Sequence, residues 1–438
     1  MKLMYSLFGF DESKHNVRTE VLSGVVIFLT MSYILAVNPL ILSATGMDKG
    51  AVFSTTVVSA AVGTLMMALY AKLPFAQASS MGLNAFFAYT LVIMMGYSWQ
   101  QALAAVFVEG VAFIFMTFFK IREAVIDSIP VNLRYAISVG IGIFIAYIGL
   151  KNGGVIVGND VTVTTLGPWN ATSILAVAGI ILGAVLMAWN VKGALFYTII
   201  IMTVIGIPFG VTQVPENFSI FSMPASMEPI AFQLDFSRFI SLDISYWIVV
   251  LTLLFMDLFN TVGTLIGAAT GAEMLDKATG RIPKMNKALM ADAVGTTVGA
   301  LCGTSTVTTY VESATGIACG GRTGLTAFTV AILFLLSLFL APLFLIIPAA
   351  ATTSALFIVG ILMLRPILQI DFKDQTELMP CFVTIVMMPF TASISEGIVL
   401  GLLAWVFVKI FTGRYREVSI TMYVLAILFI VKYIADTL

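Results

Sequence analysis

The 438-residue sequence predicts an all-α polytopic membrane protein of about 14 spans, arranged as two inverted halves of seven. Three observations carry that reading. Hydrophobic residues make up 60% of the chain and charged ones 10%, with a mean hydropathy of +1.04, outside the soluble range. Apolar runs of 16 to 26 residues recur from Val21 to Ile434, long enough or nearly so to cross ~30 Å of hydrocarbon. Two short, broken segments also stand at matching positions of the two halves.

In order, residues 1–20 form a polar tail with Asp11, Glu12, Lys14 and Arg18 and no apolar leader, so no cleaved signal peptide is expected. Spans follow near 21–44, 52–71, 84–96, 101–119, 133–150, 172–189 and 194–212, which together make the first repeat, 21–212. A polar, proline-bearing loop at 213–245 is expected outside the cell. The second repeat, 246–438, has spans near 246–270, 288–302, 309–318, 324–347 and 352–369. Residues 378–391 and 395–411 read as two short helices around Pro389, with 418–436 as an extra helix; hydropathy leaves that last region open.

Segments 84–96 and 309–318 are too short to cross as plain helices. The first begins 63 residues after its half opens at 21, and the second begins 63 after its half opens at 246. Interrupted segments at equivalent places in two halves point to a repeat-built transporter with its site where the breaks meet. Positive charges then set orientation. Lys2, Lys14, Arg18, Lys72, Lys120, Arg122, Lys192, Lys277, Arg281, Lys284 and Lys287 all fall on one side if the N-terminus is cytoplasmic and each half has seven spans.

Several chemistries are excluded. No basic patch interleaved with aromatics supports nucleic-acid binding. Cys302, Cys319 and Cys381 lack CxxC spacing. His15, the sole histidine, lies in the tail, which removes a histidine proton relay and an HExxH zinc site. Gly316 to Thr323, GIACGGRT, approaches a phosphate loop but carries Arg322 where lysine belongs and has no strand before it. An intramembrane enzyme would need a metal cluster, a dyad or an aspartate-rich site, and none is present. Neither a metal nor a cofactor is implied.

What remains is polar chemistry at bilayer depth. Asp257, in FMDLFNTVGT, is the single charge of its span, and a carboxylate there costs ~2.5–3.5 kcal/mol on insertion scales. Thr261 and Thr264 share its helix face, with Asn260 beside them. Glu312 stands in GTSTVTTYVESATGIACGGRTG (303–324), among Thr304, Ser305, Thr306, Thr308 and Thr309, where unwound backbone is tolerable only beside a cavity or bound solute. Its counterpart, LPFAQASSMGLNAFFAY, offers Ser79, Ser80, Gly82 and Asn84; the Asn84 amide can both donate to and accept from a heteroaromatic edge, or cap a helix. The candidate solute-binding set is therefore Asn84, Asp257, Glu312, Thr261 and Thr308, with Gly82, Ser80 and Thr306 as supporting backbone. Asp257 and Glu312 are the candidate proton carriers. Glu109 and Glu396 are weaker and are not counted as ligands.

Four stretches, TEVLSGVVIFLTMSYILAVNP (19–39), MGLNAFFAYT (81–90), FMDLFNTVGTLIG (255–267) and GTSTVTTYVESATG (303–316), strongly resemble the AzgA-like branch of the nucleobase–ascorbate transporter superfamily. The resemblance runs over nearly the whole chain. It implies fourteen helices in two inverted repeats, with a core domain (spans 1–4 and 8–11) moving against a gate domain (5–7 and 12–14) in an elevator-like cycle. It further implies short strands in the broken third and tenth spans, and purine contacts at Asn84, Asp257 and Glu312. Two departures stand out: Ser79-Ser80 where the family often has Pro-Gly, and Asn260 in place of a second acid.

The function implied is import of adenine, guanine or hypoxanthine across a bacterial cytoplasmic membrane by a multi-pass carrier, with a proton favoured over sodium as coupling cation. Its partners are the purine, that cation and the lipid bilayer; a homodimer is compatible with the sequence. The competing expectation is an anion exchanger or channel of the same architecture, holding its anion at half-helix N-termini. Two carboxylates at the site would repel such a solute.

Overall fold

The structure, a computed structural model, describes residues 2–119, 130–159, 161–215, 218–241, 244–270, 284–391 and 393–437. Lys120, Arg122, Lys277 and Arg281, which entered the charge count, lie outside these residues. The chain is helical almost throughout, and seven described helices are long and apolar enough to cross a membrane, with shorter apolar ones between them. It is a multi-pass membrane protein.

The first span is bent where the sequence reads it as one run. Helix α1 (Val17–Met31), capped by the Asn16 side chain, gives way at Ser32 and Tyr33 to α2 (Ile34–Ser43). At the bend, Leu35 N–H bonds to Ser32 O at 3.0 Å and Ala36 N–H to Tyr33 O at 3.1 Å, an i to i−3 pattern. Pro39 lies just beyond; it has no N–H to donate and its ring crowds the carbonyl four residues earlier. Helix α3 (Lys49–Met66) starts on an Asp48 cap and ends through a single wide turn, Met67–Ala71.

The two breaks are built alike. Strand β1 (Gln77–Ser79) leads into α4 (Met81–Ala85), which runs on as a wide π-type helix to Met94. Helices α5 (Trp99–Phe118), α6 (Val131–Asn152), α7 (Ala171–Ala188) and α8 (Ala194–Gly206) complete the first half, with a hairpin of β2 (Ile156–Asn159) and β3 (Val163–Leu166) joining α6 to α7. In the second half, α9 (Ile244–Thr270) and α10 (Met285–Cys302) precede β4 (Val307–Thr309) and α11 (Ser313–Ala318). Then come α12 (Gly324–Ser337), α13 (Ala349–Leu362), α14 (Gln375–Phe390), α15 (Ile394–Phe411) and α16 (Ile420–Thr437). The region left open by hydropathy is thus an α14–α15 hairpin followed by a separate helix.

Strands β1 and β4 pair antiparallel, with Gln77 opposite Thr309 and Ser79 opposite Val307. Inside an apolar bundle each unpaired peptide group would cost several kcal/mol, so the pairing is what allows both chains to unwind here. Neighbouring helices supply the remaining bonds. Thr64 on α3 donates its hydroxyl to Gln77 O and accepts Gln77 N–H, both at 3.0 Å, and Thr296 on α10 donates to Val307 O at 2.8 Å.

Around the strand pair, α10 packs on α3 and α5, α12 on α1 and α3, and α11 on α1. A second bundle forms from α6, α13 and α14, with α7 and α8 against α13 and α15 against α14. A cavity lies where the two bundles face each other.

Candidate functional site

A cavity of about 330 Å³ opens beside the strand pair. Its polar wall comes from the first bundle: Ser80, Asn260, Thr264, Thr308, Glu312 and the Tyr33 ring line it. Its opposite wall comes from the second bundle and is largely apolar, with Ile137, Ile141 and Ile145 on one face of α6 and Val359, Leu362 and Met363 at the end of α13; Ser138 and Arg365 are its polar members. A mostly apolar cleft with a few placed polar groups is what a flat heterocycle requires.

The chain geometry explains why these side chains converge. Ser80 and Thr308 lie on or beside the paired strands, and Ser80 N–H bonds to Thr306 O at 2.9 Å across the pair. Asn260, one helix turn from Asp257 on α9, donates from Nδ2 to Ser80 Oγ at 3.0 Å and to Thr308 Oγ1 at 3.1 Å. It therefore ties α9 to both breaks. Glu312 directly precedes α11, and Tyr33 donates its hydroxyl to Glu312 Oε1 at 2.7 Å.

Of the sequence-derived set, Glu312, Thr308, Ser80 and Gly82 line the cavity; Asn84, Asp257, Thr261 and Thr306 stand behind its wall. The Asn84 side chain is fully buried and accepts a hydrogen bond from the Ser305 hydroxyl. Thr306 donates its hydroxyl to Glu109 Oε2 at 3.0 Å. Asp257 accepts from Thr261 at 3.0 Å, and the same Thr261 hydroxyl lies 3.0 and 3.1 Å from the two oxygens of Asp292 on α10. Asp292 also accepts the backbone N–H of Thr309 at 3.2 Å, which connects this acid cluster to the cavity-lining strand. Glu396 is bonded by Tyr433, away from the cavity. Arg322 donates to Ile317 O and Gly321 O, so it caps the end of α11, and GIACGGRT has no phosphate-loop geometry.

Sequence reasoning missed Tyr33, Asp292 and the apolar α6 face. Asp292 sits in MNKALMADAVGTT, a charge inside an apolar run of the same kind that marked Asp257, so the signal was present. Tyr33 was hidden inside a span read as continuous. The α6 face carries no polar residue except Ser138 and looks like any lipid-facing stripe. Among the described residues no cluster of three or more His, Cys, Asp or Glu could hold a metal.

Comparison with known proteins gives a consistent answer. A putative permease of Methanocaldococcus jannaschii is 47% identical over 435 residues, 99% of each chain. The adenine permease AdeQ of Escherichia coli is 41% identical over 98% of this chain and 95% of that one. The guanine/hypoxanthine permease PbuO of Bacillus subtilis is 39% identical over 97% and 99%. Among solved structures, the transmembrane domain of the cyanobacterial bicarbonate transporter BicA superposes with a TM-score of 0.66, covering 89% of this chain and 99% of that one at 17% identity, a likeness of fold. The permease family profile matches residues 18–400. The chain is a membrane transporter rather than an enzyme and belongs to that permease family, in the AzgA-like branch that its motifs resemble.

Proposed function

We propose that this protein imports purine nucleobases across the cytoplasmic membrane by proton symport. The observation that carries the reading is the cavity itself: Glu312, Ser80 and Thr308 line one side of a space of about 330 Å³ whose other side is largely apolar. A purine offers ring and exocyclic N–H groups to such acceptors and flat apolar faces to the isoleucines of α6. Relatives named for adenine and for guanine and hypoxanthine transport support the substrate class.

In this reading the bundle of α1–α5 and α9–α12 is the core that carries substrate, and α6–α8 with α13–α15 is the gate. The repeats are 21–212 and 246–438, joined by an outer loop at 213–245, with residues 1–20 cytoplasmic. The largely apolar second wall supports an elevator cycle, because a face with few polar groups, Ser138 and Arg365, leaves the core few hydrogen bonds to break as it slides. Solute contacts are assigned to Glu312 and Thr308, with Asn84, Asp257 and Thr261 holding the wall and Asp257 joining Glu312 as proton carrier. A hydroxyl has one proton to give, so Thr261 donates to Asp257 or to Asp292 but not to both. One proton on that pair relieves the like-charge repulsion, and Thr309 N–H transmits the change to β4.

An anion exchanger is the competing reading, favoured by the fold shared with BicA and by the Arg365 cation in the cavity lining. A carboxylate in the cavity opposes it. Counterflow in proteoliposomes with labelled adenine, guanine, hypoxanthine, uracil and bicarbonate tests both readings. Exchange of unaltered purines is expected, with net uptake abolished by a protonophore and indifferent to replacing sodium with choline; bicarbonate exchange without purine exchange refutes the proposal.

A further inference from the structure

Glu312 has two carboxylate oxygens, and they stand in different surroundings. Oε1 accepts the Tyr33 hydroxyl at 2.7 Å, with Tyr33 only 2% exposed. No side chain among the described residues donates to Oε2; the carboxyl group also takes a hydrogen bond from its own backbone N–H, and Glu312 lines the cavity. Tyr33 comes from the bend between α1 and α2 in the first half, and Glu312 from the break in the second. Two further contacts make α1 and α11 one unit. The hydroxyls of Thr30 and Thr315 lie 3.2 Å apart, and Gly316 sits so close to α1 that a Cβ there would be 2.5 Å from Ser23 O. The Tyr33–Glu312 bond therefore travels with the substrate wall in any movement against α6.

We propose that Tyr33 is a positioning residue that sets purine selectivity by engaging one lone pair of Glu312 Oε1, so that Oε1 is the weaker acceptor and Oε2 the stronger one for the substrate. This rests on the reading of the cavity as a purine site. A carboxylate with both oxygens available grips two parallel N–H donors in a fork, the geometry that makes bidentate pairs strong and specific. Guanine presents such a pair, its N1–H beside its 2-amino group. Hypoxanthine has the same N1–H and lacks the amino group. With one lone pair of Oε1 already taken by Tyr33, the fork to guanine is weakened and hypoxanthine stays competitive. Tyr33 thereby tunes the choice between two bases that differ by one amino group.

The test is Tyr33→Phe, which deletes one hydroxyl and keeps the ring in the wall. Binding of guanine and hypoxanthine is measured on purified protein, alone and in a Glu312→Gln background. Losing the bond that orients the carboxylate is expected to weaken hypoxanthine about tenfold. Guanine should weaken less, so the guanine-to-hypoxanthine preference rises several-fold. In the Gln background the substitution should change neither affinity by more than about twofold. A purely structural role would lower both bases by the same factor in both backgrounds, and that result overturns the proposal while leaving the purine site standing. If Glu312→Gln alone leaves every purine bound at wild-type affinity, the site reading fails and Tyr33 falls with it. Should Tyr33→Phe not accumulate in the membrane, 3-fluorotyrosine at position 33, a stronger donor of the same shape, decides. The preference should then move toward hypoxanthine, and an unchanged preference overturns the proposal.

Discussion

The breaks at 77–85 and 307–318 are near-copies in backbone and opposites in use. Each is a three-residue strand followed by a short helix, each strand pairs with the other, and each is held by a threonine hydroxyl from the helix before it, Thr64 for one and Thr296 for the other. Between Leu73 and Trp99 there is no ionisable side chain except tyrosines, whereas the second break carries Glu312. The first break gives the cavity Ser80 and turns its other polar side chains inward: Ser79 pairs with Thr304 at 2.8 Å, and Asn84 takes the Ser305 hydroxyl. The second turns Thr308 and Glu312 to the cavity. On the proposed reading, the two paired breaks stand around one solute, and an asymmetric solute needs only one of them to carry the charge. The other copy is then free to buttress its partner.

That division predicts unequal consequences for matched substitutions. Glu312→Gln keeps shape and one acceptor, removes the charge and introduces a donor. Charge-assisted bonds are worth roughly 1.5–3 kcal/mol, so purine affinity should fall about ten- to a hundredfold with normal membrane levels. Asn84→Ala should do the reverse, lowering the thermal midpoint of the purified protein while costing less affinity than Glu312→Gln. Calorimetric binding and a thermal-shift assay on both variants check this. An Asn84→Ala protein that melts like wild type and binds a hundredfold worse would make the two breaks equal partners in recognition.

The half-helix glycines sharpen the comparison further. A Cβ on Gly316 would lie 2.4 Å from Ile27 Cγ1 and 2.5 Å from Ser23 O, whereas on Gly82 the nearest atom would be Ile141 Cγ2 at 2.9 Å. A backbone carbonyl cannot swing aside as a side-chain tip can. Overpacking costs typically 1–3 kcal/mol, and Gly316→Ala belongs at the top of that range or above it. Gly82→Ala should fall at the bottom. Comparable losses of folded protein from both, read by size-exclusion yield and melting, would show that the gate face of α6 is as unyielding as α1.

How much of this was legible in the sequence follows from which signals are local. Span positions, both breaks and the place of Glu312 beside a cavity could be read because a charge or a glycine cluster is costly in an oily run and persists where a cavity or an unwound helix needs it. The bend at Tyr33 was not, since Met-Ser-Tyr-Ile-Leu is as apolar as a straight helix and Pro39 shows only that some distortion is near. Asp257 and Asn84 were recognised as special, but burial direction is a tertiary property. On α9 the residue at 260 faces the cavity and the one at 257 faces α10, about a turn apart, and no periodicity says which face meets the solute. Asp292 shows the same limit from the other side: its position in the chain was visible, its partner 31 residues away was not.

The smallest effect belongs to a site remote from both breaks, which serves as their control. Asp374 caps α14, accepting Thr376 N–H at 2.9 Å and the Thr376 hydroxyl at 2.8 Å, and Arg414 donates to its other oxygen at 2.5 Å. These hydrogen bonds, first those from Thr376 and then that from Arg414, hold the Asp374 carboxyl at about 2, below the usual 3.8. A carboxyl held below its unfolded value contributes stability in full above that value and loses it as the pH falls through 3.8 toward about 2. Asp374→Asn should therefore lower the melting temperature slightly at neutral pH, and the gap to wild type should close between pH 4 and 2. Purine affinities should not move, because this cap joins only α14 to the turn after α15. A change in the guanine-to-hypoxanthine preference on Asp374→Asn would mean that selectivity is set by the global packing of the bundles, and the contrast between the two breaks would lose its meaning.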